Sequence, residues 1–171
     1  MKSFLLDALL KGRATIKPPA AAPAALEELT KALGERARQR LGRSLAIREV
    51  DAGSCNGCEL EVNALNNPVY DVERFGLKFV ASPRHADVLL VTGPVTWNMR
   101  EALLRTYNAA PEPKWVVALG DCAANCGVFA GSKAVAGAVA DFVPVDLHIA
   151  GCPPEPLEIV KGLLALMEKA G

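Results

Sequence analysis

From Ser44 onward, short apolar runs alternate with stretches whose apolar residues recur at helical spacing. Ile47–Val50, Leu77–Val80, Val88–Thr92, Trp115–Leu119 and Asp146–Ala150 predict strands. Cys58–Leu65, Met99–Tyr107 and Leu157–Glu168 predict helices, and Lys133–Ala140 predicts a weaker, Ala-rich one. Strands and helices in alternation predict an α/β domain with a largely parallel sheet and flanking helices.

The chain ahead of Ser44 is patterned differently. Leu5, Leu6, Leu9 and Leu10 mark a short amphipathic start, and Pro18-Pro19-Ala20-Ala21-Ala22-Pro23 a linker that cannot continue a helix. Residues 24–41 predict a second helix, basic toward its end and stopped near Gly42. The expected organisation is an N-terminal arm over residues 1–43 and one domain over residues 44–171.

Charge sharpens that division. Lys and Arg total 19, as do Asp and Glu, and this balance removes the simplest argument for a nucleic-acid partner. Residues 1–43 nevertheless carry a net +5 and the remainder −5. A basic arm on an acidic body is expected to meet anionic lipid or a partner subunit. No apolar run approaches the ~20 residues that span a bilayer, so the chain is not expected to cross a membrane alone. Its start does not read as a secretory leader, because Asp7 interrupts the apolar stretch and no small-residue cleavage site follows. Five cysteines without such a leader point to the reducing cytoplasm, where thiols more often serve metal or redox chemistry than disulfides.

Those cysteines fall where the strands end. Cys55 follows the first strand, Cys122 the Trp115–Leu119 strand and Cys152 the last, with Cys58 completing a Cys-x-x-Cys pair. Loops at the carboxyl ends of parallel strands share one edge of the sheet. Four thiols there suit structural zinc or an iron–sulfur cluster. Zinc sites usually come as two close pairs. Here Cys122 and Cys152 are single and distant, which favours a cluster. Gly53, Gly57, Gly120 and Gly151 flank the cysteines and would let backbone N–H groups approach sulfur. Cys126 is expected to be a buried free thiol.

At these residues the sequence resembles the small electron-transfer subunit of membrane-bound [NiFe] hydrogenases, a group related to the twenty-kilodalton iron–sulfur subunit of respiratory complex I. The similar stretches are Gly53-Ser54-Cys55-Asn56-Gly57-Cys58-Glu59, Tyr70 to Gly76, Ser82-Pro83-Arg84-His85-Ala86-Asp87, Gly120-Asp121-Cys122 and Gly151-Cys152-Pro153-Pro154. They span about residues 46–165 and look most like the formate hydrogenlyase type. Complex I subunits of this kind carry adjacent cysteines at the first site. Here Asn56-Gly57 separates Cys55 from Cys58, as in the hydrogenase branch.

The resemblance implies a flavodoxin-like fold with one [4Fe–4S] cluster on Cys55, Cys58, Cys122 and Cys152, beside a catalytic large subunit. It implies an electron-transfer subunit of an oxidoreductase complex, fed through a ferredoxin-like iron–sulfur subunit, at the cytoplasmic face of the cell membrane. The arm would then meet membrane subunits. A nickel–iron centre of the family's kind uses two Cys-x-x-Cys pairs, and this chain has only one, so hydrogen activation would belong to the partner. Glu59 matches an acidic position beside the cluster motif and is a candidate for proton transfer; an acid there also suits the first turn of a helix. The alternatives are a complex I-like subunit that passes electrons to quinone and, of another class, a zinc-stabilised binding module.

Overall fold

The computed structural model describes residues 23–169. In chain order these form α1 (Pro23–Leu41), β1 (Leu45–Asp51), α2 (Gly57–Ala64), β2 (Leu77–Phe79), β3 (Val88–Thr92), β4 (Val95–Thr96), α3 (Trp97–Ala109), β5 (Trp115–Leu119), α4 (Asp121–Asn125), β6 (Val135–Gly137), β7 (Leu147–Ile149) and α5 (Pro156–Lys169). Five strands pair in the order β2-β1-β3-β5-β7, every pair parallel. Counting only these five in chain order gives 2-1-3-4-5, the flavodoxin-like arrangement. The expected α/β class and its parallel sheet are therefore observed.

The central strands are buried on both faces, which explains their near-continuous apolar character. Val88, Leu90, Val117 and Leu119 face one core, shared with α1, α2 and α5. Leu89, Val91, Val116 and Ala118 face the other, closed by Leu103 of α3. On α5, Ile159, Val160, Leu163, Leu166 and Met167 make one buried stripe at helical spacing.

The helix over 23–41 packs on this same core. Thr30, Leu33 and Ala37 are fully buried, and Arg40 donates to the Met167 carbonyl at 3.1 Å while lying over the Trp115 ring. Just beyond the helix, Arg43 forms a two-point ion pair with the buried Asp87, at 2.6 and 3.0 Å. Residues 1–22, with the amphipathic start and proline linker, lie outside the described residues. Among the described residues, no helix is long and apolar enough to cross a membrane.

One expected element is corrected. Lys133–Ala140 is not a helix: Val135–Gly137 is a strand paired antiparallel with β4, and a 3-10 turn follows at Val139–Asp141. Alternation of Val and Gly with Ala satisfies a strand period as well as a helical one, and Gly137 weakens a helix interior by about 1 kcal/mol relative to alanine. The Asp141 carboxylate then takes the Ala138 N–H at 2.8 Å, which closes a turn instead of a helical ladder.

Candidate metal centre

Four strand ends build the site. After β1, Asp51 Oδ1 accepts the N–H groups of Gly53 (2.8 Å) and Ser54 (2.7 Å), and the chain folds back into α2. Asn56 takes a left-handed backbone, φ 72°, so that Cys55 sits on the loop and Cys58 in the first turn of α2. Gly93, just past β3, lies so close beneath this loop that any side chain there would overlap the Ser54 backbone. Gly120, with φ +85°, turns the chain from β5 into α4 and places Cys122. Gly151 does the same after β7 and places Cys152.

The structure brings Cys55, Cys58, Cys122 and Cys152 to one cavity of about 90 Å³, several times the ~10–15 Å³ that one water needs. Cys58 and Cys122 are buried and Cys55 and Cys152 exposed, so the cavity's lining runs from the interior to the surface. Cys126 does not line it. All five thiols are free. Two glycines make room for sulfur: a Cβ at Gly120 would lie 2.8 Å from Cys58 Sγ, and one at Gly127 would lie 2.8 Å from Cys122 Sγ. Sequence reasoning finds Gly120 and misses Gly127, whose only signal is its place after Cys126. It also misses the role of Asp51. Among the described residues, no three Cys, His, Asp or Glu side chains meet closely enough to hold a single ion. The four thiols ring a space rather than meet at a point.

Electrostatics follow from that ring. Burial pushes the Cys58 thiol up to about 12, with Glu59, Cys122, Cys55 and Cys152 adding to the shift. Cys122 is also raised, first by burial and then by Cys152, while a hydrogen bond from the Val128 backbone opposes the rise. Cys126 is raised by burial and then by Asp141, not by the other thiols. Glu59 is buried; its Oε2 accepts from Ser54 Oγ at 2.7 Å, and its Oε1 has no hydrogen-bond partner. Glu49 is held above the ordinary carboxylate range by burial, then by Glu59 and Asp51, with Arg48 opposing.

Exposure and the raised Cys58 thiol set the order in which the thiols react. In the metal-free chain at pH 8, Cys55 and Cys152 are expected to alkylate readily and Cys58 to lag far behind, read by peptide mass mapping. The folded state holds the Cys58 proton more tightly than the unfolded chain, whose thiol sits near 9. That stabilisation is complete below about pH 9 and is lost as pH rises toward 12.

Four soft thiol donors around one cavity suit iron–sulfur or zinc chemistry. Residues 55–166 match the family model described as NADH ubiquinone oxidoreductase, 20 Kd subunit. The chain belongs to this family. Within it, the chain is 46% identical over 129 residues to a protein named "Probable membrane-bound hydrogenase subunit mbhJ" from Pyrococcus furiosus, covering 75% of this chain and 77% of that one. Escherichia coli formate hydrogenlyase subunit 7 is 41% identical over 150 residues, which cover 86% of this chain and 59% of that subunit. An NADH-quinone oxidoreductase subunit of Herpetosiphon aurantiacus is 47% identical over 113 residues, 66% of this chain and 63% of that one. Among solved structures, a chain of the membrane-bound sulfane sulfur reductase, an archaeal respiratory membrane complex, matches with a TM-score of 0.65 at 34% identity. That match covers 86% of this chain and 75% of the other. An NAD+-reducing [NiFe]-hydrogenase chain shares the fold, with a TM-score of 0.58 at 21% identity over 74% of this chain and 93% of that one.

Proposed function

We propose that this member of the complex I-related family holds one [4Fe–4S] cluster on Cys55, Cys58, Cys122 and Cys152. It would stand next to the catalytic large subunit of a membrane-associated [NiFe] hydrogenase of the formate hydrogenlyase type. The observation that carries the proposal is the convergence of these four thiols, from three separate strand ends, on one cavity that excludes Cys126. Such a cluster supplies one-electron uptake and release. Cys58 and Cys122 would hold its buried side, while Cys55 and Cys152 hold the side that reaches the surface. Electrons would arrive from a ferredoxin-like subunit and leave to the large subunit. The names of the Pyrococcus and Escherichia relatives support the hydrogenase assignment, and the Cys55-x-x-Cys58 spacing agrees with it.

A peripheral position on the cytoplasmic face completes the proposal. The basic arm would dock on membrane subunits, and Lys31, Arg36 and Arg38, exposed on α1, extend the same charge into the described residues. The alternative is a quinone-reducing assembly, which the name of the Herpetosiphon relative supports. Affinity purification through this chain, followed by nickel analysis and a hydrogen-evolution assay of the complex, separates the two. Stoichiometric nickel and hydrogen evolution are expected; a nickel-free complex that reduces quinone would select the alternative.

Glu59 is assigned to proton transfer between the cluster region and the large subunit, on the strength of its burial and its unpartnered Oε1. Glu59→Gln is expected to keep the cluster spectrum and complex assembly while slowing proton-dependent turnover by ~10²-fold. Glu61→Gln is expected to do much less. Near-wild-type turnover in an assembled Glu59→Gln complex would remove Glu59 from the proton path.

A further inference from the structure

Cys55 and Cys58 share one turn, so the covalent chain fixes their separation. Cys122 and Cys152 have no such tie, for they are distant in sequence and leave different strands. Those strands pair through only three positions, Val117 with Leu147, Ala118 with His148 and Leu119 with Ile149, at the edge of the sheet. Beyond the last pair, Gly120 N–H donates to Ile149 O at 2.8 Å, and His148 Nε2 lies 3.2 Å from Gly120 O. Asp121 then closes a two-point bridge. Its N–H donates to Gly151 O at 2.9 Å, and its Oδ1 accepts the Gly151 N–H at 2.9 Å. Gly151 suits this turn because it has no side chain: its φ is +138°, and a Cβ would lie 2.6 Å from Pro154 Cα.

A carboxylate is an unexpected neighbour for four thiols that bind metal as anions, because like charges oppose one another at short range. Asp121 lines their cavity all the same. The bridge supplies a positional reason for it.

We propose that Asp121 is a positioning residue that locks the loops of Cys122 and Cys152 at the spacing one cluster requires. This rests on the four-cysteine assignment above. The side chain acts through backbone geometry and need not touch the metal; such outer partners typically change metal affinity by about 10–100-fold.

The test uses the full-length chain with its cluster, prepared without oxygen and challenged with excess iron chelator, with loss followed near 400 nm. Asp121→Ala is expected to lose its cluster ~10-fold faster or more than wild type. Asp121→Asn retains an acceptor oxygen at the same reach and is expected to stay within about threefold of wild type. Asp121→Glu keeps the charge but misplaces the oxygen, and is expected to behave like Asp121→Ala. It remains informative if the alanine variant fails to fold. Asp146→Ala is the control: it also deletes a carboxylate that holds a backbone N–H, that of Val116 at 2.7 Å, but at the far end of β5. It is expected to release the cluster at the wild-type rate. Wild-type rates in both Asp121→Ala and Asp121→Glu, or equally fast loss in Asp146→Ala and Asp121→Ala, would overturn the proposal. A wild-type chain that never takes up iron would instead overturn the four-cysteine assignment beneath it.

Discussion

Replacing Cys152 with alanine in the full chain is expected to abolish the reduced-cluster paramagnetic signal and most bound iron, whereas Cys126→Ala keeps both. The two thiols differ in place, not in chemistry. Cys152 lines the cavity with Cys55, Cys58 and Cys122, and its proximity raises the pKa of two of them. Cys126 lies at the left-handed end of α4 with φ 67°, and Asp141 is the charged group it feels. A side chain outside the cavity can be trimmed without removing a ligand. Loss of one of four ligands leaves an iron open to solvent and chelators. The double comparison is read by iron content and electron paramagnetic resonance on variants with matched circular dichroism. If Cys126→Ala lost the cluster while Cys122→Ala retained it, the fifth thiol would replace Cys122 in the set.

Gly34→Ala is expected to destabilise the protein by about 2 kcal/mol, although alanine is the better helix former. Propensity alone predicts a gain of about 1 kcal/mol at an interior helical position. Gly34 lies on the buried side of α1, and a Cβ there would overlap the Phe75 carbonyl oxygen. That oxygen belongs to the backbone of a 3-10 turn, Val72–Phe75, and cannot swing aside as a flexible side chain would. Overpacking costs about 1–3 kcal/mol and occasionally more; an outright overlap with rigid backbone belongs at the upper end, about 3 kcal/mol, which exceeds the propensity gain by about 2 kcal/mol. At roughly 2–4 °C per kcal/mol for a chain of this size, Tm should fall by about 4–8 °C. A urea midpoint that is unchanged or raised would show that α1 does not pack on the domain as described.

The strands are legible in the sequence because the sheet buries both faces of its central members. The apolar runs Val88–Thr92 and Trp115–Leu119 coincide with the observed strands. At the flanks the pattern is looser. Asp146–Ala150 overshoots the observed Leu147–Ile149, and Ile47–Val50 falls short of Leu45–Asp51. The small β4–β6 pairing is not legible, since Val95-Thr96 is too short to carry a period and its partner has a helical look. The helix over 24–41 can be read, but its docking cannot. Its buried face depends on Gly34 meeting the Phe75 backbone, a turn far along the chain.

The thiols are legible for a different reason. Strand ends of a parallel sheet share an edge, so placing each cysteine after a strand already places them together. The groups that fix those thiols are hidden. Asp51, Asp121 and Gly127 act through neighbours that only the folded chain supplies, and a place beside Cys122 or Cys126 does not reveal what Asp121 and Gly127 do.

Metal analysis of the full-length chain, purified without oxygen, tests the central claim most directly. The account predicts a brown protein with absorbance near 400 nm, about four irons and four sulfides per chain, and no zinc. A colourless protein carrying one zinc per chain, with neither iron nor sulfide, would contradict it.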